Sequence, residues 1–110
     1  MRNILFRAKE KVTNRWVYGS YVKGYTQSAI IEEKNDIYSV YDDTVGQDTN
    51  FISGDSHIFE GDILESKDDS ATRGIVRFYN GAFILETADG MIPLSRALEE
   101  SDFRVVGYVV

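Results

Sequence analysis

The sequence predicts a mainly β protein, a small curved antiparallel sheet or small barrel with hairpin extensions and at most one short helix near residues 94 to 101. Three observations predict this class. Apolar residues alternate with polar ones over short segments, as in strands, and do not recur every three or four residues. These segments are rich in aromatic and β-branched residues. Turn-forming residues separate them at short intervals.

Two hairpins are predicted in the first forty-one residues. Segments 4 to 8 (ILFRA) and 15 to 22 (RWVYGSYV) are predicted strands, and the polar residues between them suit a hairpin connection. Segments 28 to 33 (SAIIEE) and 37 to 41 (IYSVY) flank the short polar turn KND. Antiparallel pairing within each hairpin follows.

Residues 42 to 57 have no sustained pattern. Gly, Asp, Ser, Thr and Asn dominate, and Val45, Phe51 and Ile52 are the scattered apolar positions. The composition predicts a long loop held by a few buried side chains.

The clearest local pattern follows a predicted strand at 62 to 66 (DILES). Segment 74 to 95 (GIVRFYNGAFILETADGMIPLS) contains Asn80-Gly81 and Asp89-Gly90, pairs that tolerate the positive φ of a type I′ hairpin turn. A meander of three strands is therefore predicted.

The C-terminal part combines a short helix with a last strand. Ser95 is the predicted N-cap of a helix of about two turns. Pro93 lacks a ladder N–H and must lie at a strand edge or end. The apolar segment 103 to 110 (FRVVGYVV) predicts a buried closing strand, with Gly107 at a bend.

Length and composition indicate one folded domain over residues 1 to 110. The chain has 110 residues, is 43% hydrophobic and contains no cysteine, so a disordered chain, a disulfide framework and a thiolate zinc site are not expected. No apolar run approaches the roughly 18 residues of a membrane span. The opening MRNILFRAKEK becomes charged too early for a secretory signal. We expect a cytoplasmic protein.

The net charge of −6 is unevenly distributed along the chain. Residues 1 to 24 contain six basic groups and one acidic group, whereas residues 25 to 70 contain twelve acidic groups and two basic ones. This polarity favours internal pairing of basic strands with acidic loops. It also permits head-to-tail association or contact with a partner.

His57, Asp55, Glu60 and Asp62 raise the question of a metal or catalytic site. Catalytic zinc normally takes three protein ligands, commonly with more than one imidazole, and the chain has a single histidine. The sequence therefore favours a structural turn at Glu60-Gly61-Asp62, in which Gly61 permits the bend and Asp62 bonds nearby backbone. No metal, cofactor or catalytic residue is predicted. An enzyme built on these four residues remains an alternative hypothesis.

The segment RWVYGSYVKGY (15 to 25) is a candidate binding surface. Trp16 and Tyr18 lie on one face of the predicted strand, and Arg15 and Lys23 supply positive charge. Stacking rings beside cations bind single-stranded nucleic acid. The same residues are more often part of a barrel wall, and the acidic middle of the chain would repel phosphates.

Several separated motifs together resemble the YopX family of phage and prophage proteins. They are ILFRAKEKVTNRWVYGSYV, TVGQDTNFISGDSHIFEGDIL, GAFILE and VVGYV, and they cover nearly the whole chain. The family pattern places an FRAW…W…G stretch before VGQ-T-G and I-EGDI. The matching positions are Phe6-Arg7-Ala8, Trp16, Gly19, Val45-Gly46-Gln47, Thr49 and Ile58 to Ile63. The chain departs from the pattern at Lys9, Asp48 and Asn50.

The resemblance implies a largely β protein of a phage or integrated element, and it brings no catalytic residues. Glycine-aspartate entries into strands are also frequent in SH3-like barrels, which is an analogy of fold. Our leading hypothesis is a non-enzymatic accessory protein in the cytoplasm of the bacterial host that binds a host or phage protein. Homo-oligomerisation through a sheet edge or through charge polarity is a further expectation. The alternative is the nucleic-acid module of residues 15 to 25.

Overall fold

The computed structural model describes residues 4–54, 56–68 and 72–109. Within these ranges the chain is mainly strand, with one 3-10 turn at Asp42–Thr44 and one short helix. The elements are β1 (Phe6–Lys9), β2 (Trp16–Val22), β3 (Ser28–Ile31), β4 (Ile37–Val40), β5 (Gly46–Ser53), β6 (Ser56–Phe59), β7 (Asp62–Ser66), β8 (Arg73–Tyr79), β9 (Ala82–Thr87), β10 (Gly90–Pro93), α1 (Leu94–Glu100) and β11 (Phe103–Tyr108).

The strands form two antiparallel sheets. One has the order β4-β3-β2-β1-β5-β6 and the other the order β10-β9-β8-β7-β11. Neither is a closed barrel over the residues that are described. The chain also divides into two compact units with a boundary between Asp48 and Thr49, inside β5. The expectation of one domain stays a prediction.

The first unit encloses a small apolar core. Its buried members are Ala8, Val17, Ile30 and Val40, one from each of β1 to β4. Full burial of a Val or Ile side chain contributes about 1.5–3 kcal/mol. An isolated bridge between Glu10 and Val40 connects β4 to the residue that follows β1. The four strands therefore curve around this core.

The second unit has a larger core. Its buried members come from β6 to β9, from α1 and from β11: Ile58, Leu64, Val76, Leu85, Leu94, Ala97 and Phe103. The helix contacts β9 and β10. A helix of seven residues is too short to be stable alone, so its packing holds it.

Most of the predicted elements are present. The structure is mainly β with one helix at Leu94–Glu100, and both N-terminal hairpins form. Asn80 and Gly81 have φ angles of 49° and 82°, as the predicted turn requires. Pro93 ends β10, a strand at the edge of its sheet.

The prediction of a loop over residues 42 to 57 was wrong. β5 and β6 occupy most of this stretch. Two consecutive buried positions of β5 are the polar residues Asp48 and Thr49, so the strand has no apolar alternation to detect. The Thr49 hydroxyl donates to the Ile58 carbonyl oxygen at 2.7 Å, so this buried polar group has a hydrogen-bond partner.

The predicted turn at Asp89-Gly90 was displaced by one residue. Ala88 and Asp89 form the turn, and Gly90 begins β10 opposite Thr87. The Thr87 hydroxyl accepts from the Asp89 N–H at 3.2 Å and donates to the Gly90 carbonyl at 2.9 Å. Thr87 thus stabilises the turn at Ala88 and Asp89, which lies one residue before the position predicted from the Asp-Gly pair.

The predicted N-cap at Ser95 was also wrong. Pro93 is in the N-cap position with φ −56°, and no side chain caps the helix. The fixed φ of proline and the complete burial of Leu94 place the helix start two residues earlier.

The last strand is not a buried closing strand. Phe103 is buried, but Val105, Val106 and Tyr108 are exposed. The strand lies at the edge of the five-stranded sheet, where it pairs with β7 and has a neighbouring strand on one side only. Its register shifts between Val105 and Gly107, where a bend was predicted.

Candidate functional site

The strand register of the first unit defines two faces. Residues directly opposite in a sheet project to the same side, and the pairs Arg7 with Tyr18, Lys9 with Trp16 and Ile31 with Ile37 lie opposite the side that holds the core. We call this side the outer face. Its members are Arg7, Lys9, Trp16, Tyr18, Ser20, Val22, Ala29, Ile31, Ile37 and Ser39.

Two cations cover the Trp16 ring. The Arg7 guanidinium carbon lies 4.2 Å from the ring centroid, and the Lys9 Nζ lies 4.5 Å from it. Such contacts contribute about 0.5–2 kcal/mol each, with the larger values where water is excluded. Arg7 is buried. The ring surface that a nucleobase would need is therefore already in contact with charged side chains of β1.

Large apolar side chains are exposed further across the same face. Tyr18 is 44% exposed, Val22 49% and Ile37 68%. Single exposed apolar residues are ordinary on protein surfaces. Here the β2, β3 and β4 registers place them on one side of one sheet, around the half-buried Ile31. A grouped apolar surface of this kind is typical of an interaction site.

An open depression adjoins Tyr18. It has a volume of about 700 Å³, and Glu32 and Glu33 supply acidic groups to its lining. Leu5, Tyr18 and Ile31 contribute apolar and aromatic side chains to the lining. The outer face thus has cations at Trp16 and carboxylates beyond Tyr18.

The strand register places two of the four predicted binding residues on one face. Trp16 and Tyr18 share the outer face, whereas Arg15 is exposed before β2 begins. Hydrogen bonds from Ser28 and Tyr21 hold the pKa of Asp42 below its usual value, and the nearby charge of Lys23 lowers this pKa further. Lys23 directly follows the end of β2 at Val22.

Tyr21, which donates to Asp42 Oδ1 at 2.5 Å, packs against the core on the opposite face from Trp16. Burial and the bond to Asp42 raise the pKa of Tyr21.

Sequence reasoning missed Arg7 and Lys9 as part of the candidate site. Both lie on β1, directly or diagonally opposite Trp16. The hairpin itself was predicted, and applying the period of two across it would have put these cations on the Trp16 face. The missing step was the register and not the strand assignment.

The residues around His57 serve different structural roles. His57 is exposed on β6, and Asp62 is buried, with Oδ2 accepting from the Phe59 N–H at 2.8 Å. Gly61 has φ +94°, and its N–H donates to the Val76 carbonyl at 2.8 Å. Asp55 lies outside the described residues. Over the ranges that are described, no group of three or more His, Cys, Asp or Glu side chains could hold a metal ion.

Comparison with known proteins agrees with the resemblance. A family model described as YopX protein matches residues 5–109. The chain belongs to the YopX family. The match spans nearly the whole chain, including both compact units of this YopX protein. No curated protein and no solved structure gave a match. No helix in the described ranges has the length and apolar character needed to cross a membrane.

Proposed function

We propose that this YopX protein is a phage or prophage accessory protein that acts without catalysis or cofactor by binding a host or phage protein. The outer face of the first unit is the proposed contact surface. The observation that carries the proposal is the exposure of Tyr18, Val22 and Ile37 on one side of a single sheet. The proposed site of action is the cytoplasm of a bacterial host.

The chemistry of this face suits a protein partner. Protein interfaces combine an apolar, aromatic centre with a polar rim, and Tyr is enriched in such centres. Tyr18 and Ile37 supply the centre, while Lys9 on one side and Glu32 on the other supply charges for the rim. Rim charges of both signs orient a complementary surface and reject a partner of the wrong register.

Single-stranded nucleic acid is the second candidate ligand. Arg7, Lys9 and Trp16 bring positive charge and an aromatic ring together, as base-stacking sites do. Two features favour a protein over this ligand. A stacked base would compete with the cations at the Trp16 ring, and the carboxylates of Glu32 and Glu33 beside Tyr18 would repel phosphates.

Affinity capture from a bacterial lysate, with and without nuclease, separates the two candidates. We expect a specific protein to be recovered on the tagged chain in equal amount after nuclease treatment. Recovery of ribosomal and DNA-associated proteins, and only without nuclease, would contradict the proposal. Trp16 is the single tryptophan, so its fluorescence during an oligonucleotide titration gives a direct second readout. We expect no saturable change.

A further inference from the structure

A group of charged residues lies on the five-stranded sheet of the second unit. Glu65 of β7 has a side chain that is only 6% exposed, yet it projects between two arginines. Its Oε2 accepts from Arg73 Nε at 2.8 Å, and its Oε1 accepts from Arg104 Nη2 at 2.7 Å. Each carboxylate oxygen therefore holds one guanidinium.

Strand register produces this arrangement. Glu65 is directly opposite Arg73 on β8 and directly opposite Arg104 on β11, so all three side chains project from the same face of the five-stranded sheet. Because β7 lies between the other two strands, the carboxylate is central and the arginines flank it. We call these three residues the arginine pair site.

The charges of the arginine pair site do not cancel. One guanidinium is sufficient to neutralise Glu65, and the second leaves a net charge of about +1 on this face, within a chain of net charge −6. The Arg73 and Arg104 side chains are 62% and 57% exposed. More than half of each arginine side chain is therefore accessible to a ligand from solvent.

Both guanidiniums retain donors for another ligand. An arginine has five N–H donors in a rigid fork. The bonds to Glu65 use the Nε and Nη2 atoms of Arg73 and the Nη2 atom of Arg104. Arg104 also lines a hollow of about 230 Å³ together with Lys67, which adds a cation on the Arg104 side of the site.

We propose that the arginine pair site binds a small oxyanion group, a phosphate or a carboxylate, through the guanidinium N–H groups of Arg73 and Arg104 that Glu65 does not use. Planar guanidinium groups match these anions through paired N–H bonds. Glu65 is a positioning residue, because it fixes both guanidiniums before the ligand arrives and does not itself contact an anion. This site goes beyond the proposed protein-binding function and requires only the second unit.

Titration of the full ¹⁵N-labelled chain with inorganic phosphate, and separately with malonate, tests the proposal. We expect saturable shifts of the arginine Nε–Hε signals and of the β7, β8 and β11 amides, with a Kd on the order of 1 mM. Arg73→Gln and Arg104→Gln should each weaken binding by about five-fold or more. Arg96→Gln makes the same charge change at an exposed arginine of α1 and should leave the Kd unchanged.

Glu65→Gln distinguishes a built site from general positive charge. This substitution makes the face more positive, so a purely electrostatic attraction would tighten anion binding. The Gln side chain has a single carbonyl oxygen and cannot accept from both arginines as the carboxylate does, so the proposed site should bind more weakly.

The remaining outcomes are also decisive. Saturation by one probe alone supports the site and identifies the oxyanion. Linear, unsaturable shifts with both probes, or equal weakening by Arg96→Gln, would overturn it. If Glu65→Gln fails to fold, the exposed Arg73 and Arg104 variants decide the result alone.

Discussion

The guanidinium of Arg7 lies over the ring of Trp16, 4.2 Å from its centroid, although Arg7 is buried. This contact joins β1 to β2 on the outer face and removes a large charged side chain from water. The ring of the one tryptophan of the chain is therefore in contact with a cation of the neighbouring strand. The exposed apolar area beside it includes Tyr18.

Arg7→Met should destabilise the first unit. Methionine retains an apolar stem of similar length but lacks the cation, so we expect the free energy of unfolding to fall by at least about 0.5 kcal/mol. Urea denaturation measures this change. Arg15→Met is the matched control, because Arg15 is exposed and precedes β2. Equal stability of the two variants would contradict a structural role for the Arg7 contact with Trp16.

Gly19→Ala should be poorly tolerated. A Cβ atom at Gly19 would meet the Ile31 carbonyl oxygen on the neighbouring strand in a severe clash, so the strands must separate. We expect a loss of about 1–3 kcal/mol, measured by chemical denaturation. Gly107→Ala is the control, since its Cβ would make an ordinary contact with Ile63 at 3.7 Å. Similar losses in both variants would show that the close approach at Gly19 is unimportant.

Gly61→Val should destabilise the turn between β6 and β7. Gly61 has φ +94°, a region that β-branched residues rarely adopt. The expected loss in free energy of unfolding is about 1 kcal/mol or more. A denaturant midpoint equal to that of the unmodified protein would refute the requirement for glycine here.

Stability should depend on the ionisation of Glu65 at acid pH. Hydrogen bonds from Arg104 and Arg73 hold the pKa of Glu65 below its usual value in the folded state. The folded protein therefore keeps this carboxylate ionised at pH values where the unfolded chain is protonated. This contribution is complete above the ordinary glutamate pKa of about 4.3 and is lost as the pH falls through the folded-state pKa.

Comparison of the unmodified protein with Glu65→Gln from pH 6 downward isolates this contribution. The free energy of unfolding of Glu65→Gln should fall less steeply below about pH 4.3, because the titrating group is gone. Parallel curves for the two proteins would show that Glu65 does not contribute to acid sensitivity.

The sequence predicts strands well where apolar alternation and turn residues coincide. The hairpin of β8 and β9 has both, since Val76 and Leu85 are buried partners and Asn80-Gly81 provides the positive φ angles. β5 lacks apolar alternation, because the polar residues Asp48 and Thr49 occupy buried positions. Only the neighbouring strand β6 supplies the Ile58 carbonyl that makes such burial tolerable.

The candidate site was partly predictable for a related reason. Alternation within β2 is a local property, and it placed Trp16 and Tyr18 together. The contributions of Arg7 and Ile37 depend on pairing between strands, which the single-strand pattern does not define. Arg15 and Lys23 flank β2 at its two ends, where alternation within the strand does not assign a side chain to either face.

Affinity capture with surface variants shows whether the outer face binds the proposed protein partner. Tyr18→Ser combined with Ile37→Ser removes exposed apolar groups from the outer face, and Met91→Ser removes a comparably exposed apolar group from β10 in the second unit. Nuclease-treated lysate is passed over each folded, tagged protein, and the recovered partner is quantified by mass spectrometry. We predict loss of the partner from the double variant and full recovery on Met91→Ser. Equal recovery on both variants would contradict the assignment of partner binding to the outer face.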